Sequence, residues 1–180
     1  VIALGRFRRI IERILEVWVV FLISALTVVV VLAVIWRKGG ASFVWYDEVA
    51  SIMLAWITYY GAALAALKRA HMGFDGFLLS LPYRWRIAVA ILGEIVVFAF
   101  FIVLAWTGMA VLEVVGGMSL ISLPEVPVRL TQSVIPIGAT LFVICEALSL
   151  PEYWRRLREG ISAEVAEVTE QMHAQEGSLP

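Results

Sequence analysis

The run VWVVFLISALTVVVVLAVIW, residues 17–36, holds twenty consecutive residues without a charge. At 1.5 Å per residue, a helix of that length reaches about 30 Å, the thickness of a bilayer's hydrocarbon core. Glu16 bounds it on one side and Arg37 on the other, so it reads as a spanning helix with charged ends. The apolar run is too long for the core of a secretory leader, and no small-residue cleavage pattern interrupts it. It reads as a retained helix.

Three further apolar blocks follow. Residues 49–67 are uncharged and include Trp56, Tyr59, Tyr60 and Gly61; residues 87–112 are interrupted only by Glu94; residues 130–150 carry Pro136 near the start and Glu146 near the end. Each is long enough to cross a membrane, and the third is long enough to tilt. The whole chain is 62% apolar and 16% charged, with a mean hydropathy of +0.92. A soluble helical bundle needs a polar face on each helix, and these blocks have none. The expected fold is all-α: an integral membrane protein with four transmembrane helices, an N-terminal amphipathic helix and short interfacial helices.

The connecting segments support this division. Phe7, Ile10, Ile11, Ile14 and Leu15 recur at helical spacing with Arg6, Arg9, Glu12, Arg13 and Glu16 between them, which predicts an amphipathic helix lying at the interface before turning into the first span. Phe74, Phe77, Leu78 and Leu81 predict a short interfacial helix over 73–81, ended by Pro82. Gly116, Gly117, Pro124 and Pro127 favour turns between the last two spans. Residues 1–158 form the membrane domain, and Ile161, Val165, Val168 and Met172 predict a partly helical tail over 159–180.

Lys and Arg are unevenly distributed. Arg6, Arg8, Arg9 and Arg13 precede the first span; Lys68, Arg69, Arg84 and Arg86 lie between the second and third; Arg155, Arg156 and Arg158 follow the fourth. Those eleven face one side and only Arg37, Lys38 and Arg129 the other, out of 14 in the chain. The positive-inside rule places both termini in the cytoplasm.

Little in the sequence suggests chemistry. His71 and His173 lie outside the spans, which argues against haem held within the bundle. No metalloprotease, nucleophile-elbow or nucleotide-binding pattern is present, and Cys145 lies alone in an apolar stretch, as a small core residue does. A net charge of −1 and scattered cations offer no nucleic-acid face. Asp47 and Glu48 are poorly placed as a catalytic pair and well placed to offset the N–H dipoles at the start of the second span. Glu94 and Glu146 fall at similar depth, where a carboxylate needs a partner; the candidates are Lys68 or groups on another subunit. With so few polar residues in its spans, the chain reads as an accessory or scaffold. A membrane enzyme would have to use the polar residues of the 68–86 loop, and a small self-assembling channel would need a polar stripe beyond the two glutamates.

WYDEV at 45–49, Trp56, Gly61, KRAH at 68–71, Asp75 and the Leu81-Pro82 pair together resemble the small membrane subunit of tripartite ATP-independent periplasmic (TRAP) transporters, the DctQ-like family. The four-span plan and chain length agree with it. The resemblance implies a sodium-driven importer of an organic acid in a bacterial inner membrane. There a periplasmic binding protein delivers substrate, a large membrane subunit carries the substrate and sodium sites, and the small subunit is a static, non-enzymatic scaffold in lipid, without a cofactor. The family's outer motif falls on Trp45, Asp47 and Glu48, with Asp47 where glutamate is more usual; its glycine falls on Gly61; its basic–His–Asp pattern falls on Lys68, His71 and Asp75. Residues and resemblance together suggest a subunit interface. Gly61, Ala62, Ala65 and Ala66 would form a small-residue patch, flanked by Trp56, Tyr59 and Tyr60. Glu94 would contribute from the third span, the Trp45 cluster would fix the outer end, and Lys68, His71 and Asp75 would fix the inner end.

Overall fold

A computed structural model describes residues 2–40, 45–68 and 81–159. They form helices α1 (Ile2–Lys38), α2 (Tyr46–Lys68), α3 (Tyr83–Val114), α4 (Val128–Gln132) and α5 (Val134–Glu159). All but the five-residue α4 contain a segment long and apolar enough to span a membrane, as the four blocks predict. Among the described residues the only β-pairing is a single bridge, Ser119 with Pro127. His71, Asp75, all of the 73–81 segment but Leu81, and the tail stripe from Ile161 to Met172 lie outside the described residues.

α1 corrects one expectation. The amphipathic segment does not turn into the first span but runs on as a single helix of 37 residues. From Arg6 to Lys38 there is no Gly or Pro to break it. It stops where Gly39 donates to the Ile35 and Trp36 carbonyls and Gly40 takes a positive φ of 85°. Glycine adopts that conformation without a Cβ penalty. α3 starts after Pro82, whose carbonyl accepts from the Trp85 and Arg86 amides.

The main packing runs in one order: α1 on α2, α2 on α5, α5 on α3. α1 and α3 are therefore the flanks of a row and α2 and α5 its centre. A core of Leu15, Ala63, Ala66, Leu67, Phe142 and Cys145 joins α1, α2 and α5, and Phe101 of α3 stacks on Phe142 with centroids 3.5 Å apart. Cys145 is fully buried, as the sequence suggests. Two glycines set the closest approaches. A Cβ on Gly138 of α5 would come within 2.6 Å of the Tyr59 Cβ on α2, and one on Gly108 of α3 within 2.9 Å of Ile135 Cγ2 and 3.1 Å of the Pro136 nitrogen. In lipid, where apolar burial does not favour one helix pairing over another, such backbone proximity supplies the dispersion contacts that hold helices together.

The outward faces are apolar. On α1 they include Val17, Val20, Phe21, Val28 and Ile35, and on α3 Leu92, Val96, Phe100, Val103 and Trp106. Patches of this extent would drive aggregation in water and are the expected surface in hydrocarbon. Hydroxyls within the spans are satisfied locally: Thr27, Thr58, Thr107 and Thr140 each donate to the carbonyl four residues earlier.

Candidate functional site

At the end of the molecule where α2 begins, the chain after α3 folds back as a small hairpin. Leu120 N–H donates to Val126 O, Val128 N–H to Met118 O, and Val126 N–H to Leu123 O, closing the turn through Pro124. Glu48 holds this hairpin: its carboxylate accepts from the Ile121 amide at 3.1 Å and the Ser122 amide at 2.9 Å. Charge-assisted bonds of this kind are stronger than neutral ones. Glu48 lies in the first turn of α2, where its charge was expected, and its two oxygens also tie that helix start to another segment. Asp47 is exposed in the first turn of α2, where its charge does offset the helix dipole. Trp45 precedes the helix and is 36% exposed, its carbonyl accepting from Val49.

About two turns deeper, Trp56 Nε1 donates to the Thr131 carbonyl of α4 at 3.1 Å and packs edge-on against Tyr60. Tyr60 in turn meets Trp18 of α1 at nearly right angles. These two aromatics, expected at a subunit interface, are thus substantially occupied within the chain. The small-residue patch is divided in the same way. Ala66 is fully buried, Ala62 and Ala65 are half-buried, and a Cβ on Gly61 would meet nothing within 4 Å. Gly61 is half-buried like Ala62 and Ala65, with open space where a Cβ would lie.

At the opposite end, Arg8 reaches from α1 to pair with Glu152 of α5 and donates from Nη2 to the Leu67 carbonyl at 3.0 Å. That carbonyl is one of those a helix C-terminus leaves without a helical donor. Lys68 pairs with Glu16 and lies 3.7 Å from Glu12, both on α1. This corrects the pairing proposed for Lys68 with the deeper glutamates: its carboxylates come from the amphipathic turns of α1. Glu146 is 5% exposed on α5, while Glu94 is half-buried on α3. His71 and Asp75 lie outside the described residues, so the inner motif is seen here through Lys68 alone.

The sequence did not single out Gly108 or Gly138, each at the contact of two helices, or Arg8, which joins three. The spacing of small and polar residues along α5, at Gly138, Cys145 and Ser149, was the signal for its inward face. Among the described residues no group of His, Cys, Asp or Glu is placed to hold a metal ion. The polar contacts described here mostly tie one helix or loop to another.

The arrangement defines a multi-pass α-helical membrane protein whose polar groups serve assembly. Residues 26–158 match the family model described as tripartite ATP-independent periplasmic transporters, DctQ component, and the chain belongs to that family. DctQ components are non-catalytic small subunits of TRAP transporters. Comparison with curated proteins gave no match.

Proposed function

We propose that this chain is the static scaffold of a sodium-driven TRAP transporter in a bacterial inner membrane. It stands beside a large membrane subunit that carries the substrate and sodium sites, while a periplasmic binding protein delivers an organic acid such as a dicarboxylate or sialic acid. The observation that carries this reading is the family match across 26–158, which takes in three whole spans and part of the first. The chain's own chemistry supports it. The hydroxyls of Thr27, Thr58, Thr107 and Thr140 are bonded to their own helices, and its flanks are broad apolar faces. Both termini and the 68–86 loop are cytoplasmic in this reading. Arg8 gathers the early turns of α1 and the ends of α2 and α5 at one end, and the eleven-to-three cation bias assigns that end to the inside.

Gly61 and Glu94, with Trp45 and Asp47 at the outer end and His71 and Asp75 at the inner, are the residues proposed to meet the large subunit. Lys68, Glu48, Trp56 and Tyr60 shape that surface from behind. The test is reconstitution of Gly61→Leu and Glu94→Ala variants with the large subunit, comparing the fraction that stays paired with the uptake rate and its half-saturation values. Uptake should fall in step with pairing, and the chain alone should neither bind nor carry the acid. A fully paired variant with a severalfold change in sodium half-saturation would overturn the scaffold reading.

A further inference from the structure

The end of the molecule where α5 finishes is rich in cations, and several are committed to the fold. Arg8 engages Glu152 and the Leu67 carbonyl, and Lys68 engages Glu16 and Glu12. Arg155 and Arg158 differ. Both are exposed, and among the described residues neither forms an ion pair. They lie three residues apart on α5, beside Trp154, and both border an open cavity of about 420 Å³; a second of about 330 Å³ shares Trp154 and Arg158 with it. The second cavity is completed by Tyr83, Ile87 and Ile91 of α3.

These side chains are ordered along the helix axes. Spacing by four residues puts Tyr83, Ile87 and Ile91 on one face of α3, extending about 12 Å from the helix start toward the bilayer centre. On α5, Arg158 lies nearest the end and Trp154 one turn further in. From the end inward the groove therefore presents Arg158, then Trp154 with Arg155 at its level, then the aliphatic side chains of α3. A phospholipid presents its phosphate, its ester region and its acyl chains in the same order. Aromatic side chains favour the interfacial level, Arg recognises phosphate oxygens through paired N–H groups, and basic pockets between spanning helices bind anionic headgroups.

We propose that this groove is a binding site for an anionic phospholipid. The phosphate sits between Arg155 and Arg158, the ester region lies against Trp154 and Tyr83, and an acyl chain runs along Ile87 and Ile91. A bare anion would use the arginines and leave the isoleucine wall idle. The inference needs only that the chain spans a membrane, and stands apart from its proposed place in a transporter.

The test uses the full chain in detergent, stripped of lipid and offered phosphatidylglycerol and phosphatidylcholine of identical acyl composition in equal amounts. Bound lipid is counted by native mass spectrometry. Phosphatidylglycerol should be retained about 30-fold more than phosphatidylcholine, on a scale of roughly fivefold per cation near an anionic lipid surface. The double variant Arg155→Gln/Arg158→Gln should bring the ratio close to one, while Arg155→Lys/Arg158→Lys should keep most of it. Arg158→Gln alone should lower it about fivefold, which supplies a reading if the double variant does not fold. Equal retention of the two lipids by the unmodified chain would overturn the proposal, as would an undiminished preference in the Gln variants. Displacement of phosphatidylglycerol by glycerol 3-phosphate at matching concentration would overturn it in favour of a free-phosphate site. Loss of the lipid when an acidic polypeptide binds with 1:1 stoichiometry would overturn it in favour of a protein contact.

Discussion

α3 and α5 pack against each other, yet they meet their surroundings in opposite ways. α5 turns Gly138, Ala139, Phe142, Cys145, Glu146 and Ser149 inward at steps of one and three, whereas the buried residues of α3 are Ala90 and Gly108. α3 shows Leu92, Val96, Phe100, Val103, Trp106 and Met109 to the outside. In water the more apolar helix would be the more enclosed. Here the helix with more small and polar residues occupies the centre. Lipid removes the preference for hiding hydrocarbon and leaves close approach and hydrogen bonding to decide what lies inside.

That contrast is tested most severely at Gly138. Adding a methyl group there places it 2.6 Å from the Tyr59 Cβ, an atom that cannot rotate away. Overpacking typically costs about 1–3 kcal/mol, and replacing Gly by Ala inside a helix returns at most about 1 kcal/mol. Gly138→Ala should therefore lower the thermal unfolding midpoint of the chain in detergent, and an unchanged midpoint would mean that α2 and α5 are not pressed together. Lys68→Gln should do less. Its ion pairs are partly solvated, so the loss is expected to stay below about 1 kcal/mol and to shrink further at high salt, as read from the same melting curves at two ionic strengths.

Glu48→Ala should leave the global midpoint nearly fixed and act on the hairpin alone. Amide hydrogen exchange at Ile121 and Ser122 should quicken severalfold while the helices keep their protection; unchanged exchange at both would remove Glu48 from the role of clamp. The smallest effect is expected at Gly61, where an added Cβ meets open space. Gly61→Ala should not destabilise the chain by itself, and a marked fall in its midpoint would place Gly61 inside the fold rather than on its surface.

The spans were legible in the sequence because membrane thickness sets a length, and uninterrupted apolar runs such as residues 17–36 can be measured against it. The faces were less legible. Gly61, Ala62, Ala65 and Ala66 look alike on paper, yet Ala66 is buried within the chain and Gly61 is not. Residues three or four apart share a helix side, but nothing in the run itself says which side meets a neighbour. Long-range partners were hidden for a related reason. Glu48 could be assigned to its helix dipole from local rules, whereas its actual donors lie more than 70 residues further on. Lys68 was matched by depth to Glu94 and Glu146, but Glu12 and Glu16 stand closer because α1 stays helical without a break.

The order of packing, with α5 last among the described helices and central in the row, also bears on how the protein is made. While the ribosome is still short of Val134, α1 and α2 can form their hairpin, but α3 has no extensive partner among the helices already inserted. The row closes only when α5 leaves the translocon and slides between α2 and α3. A chain cut short before that point would present the bilayer with a helical pair and a stray third span, a form suited to capture by membrane proteases and unable to mature further.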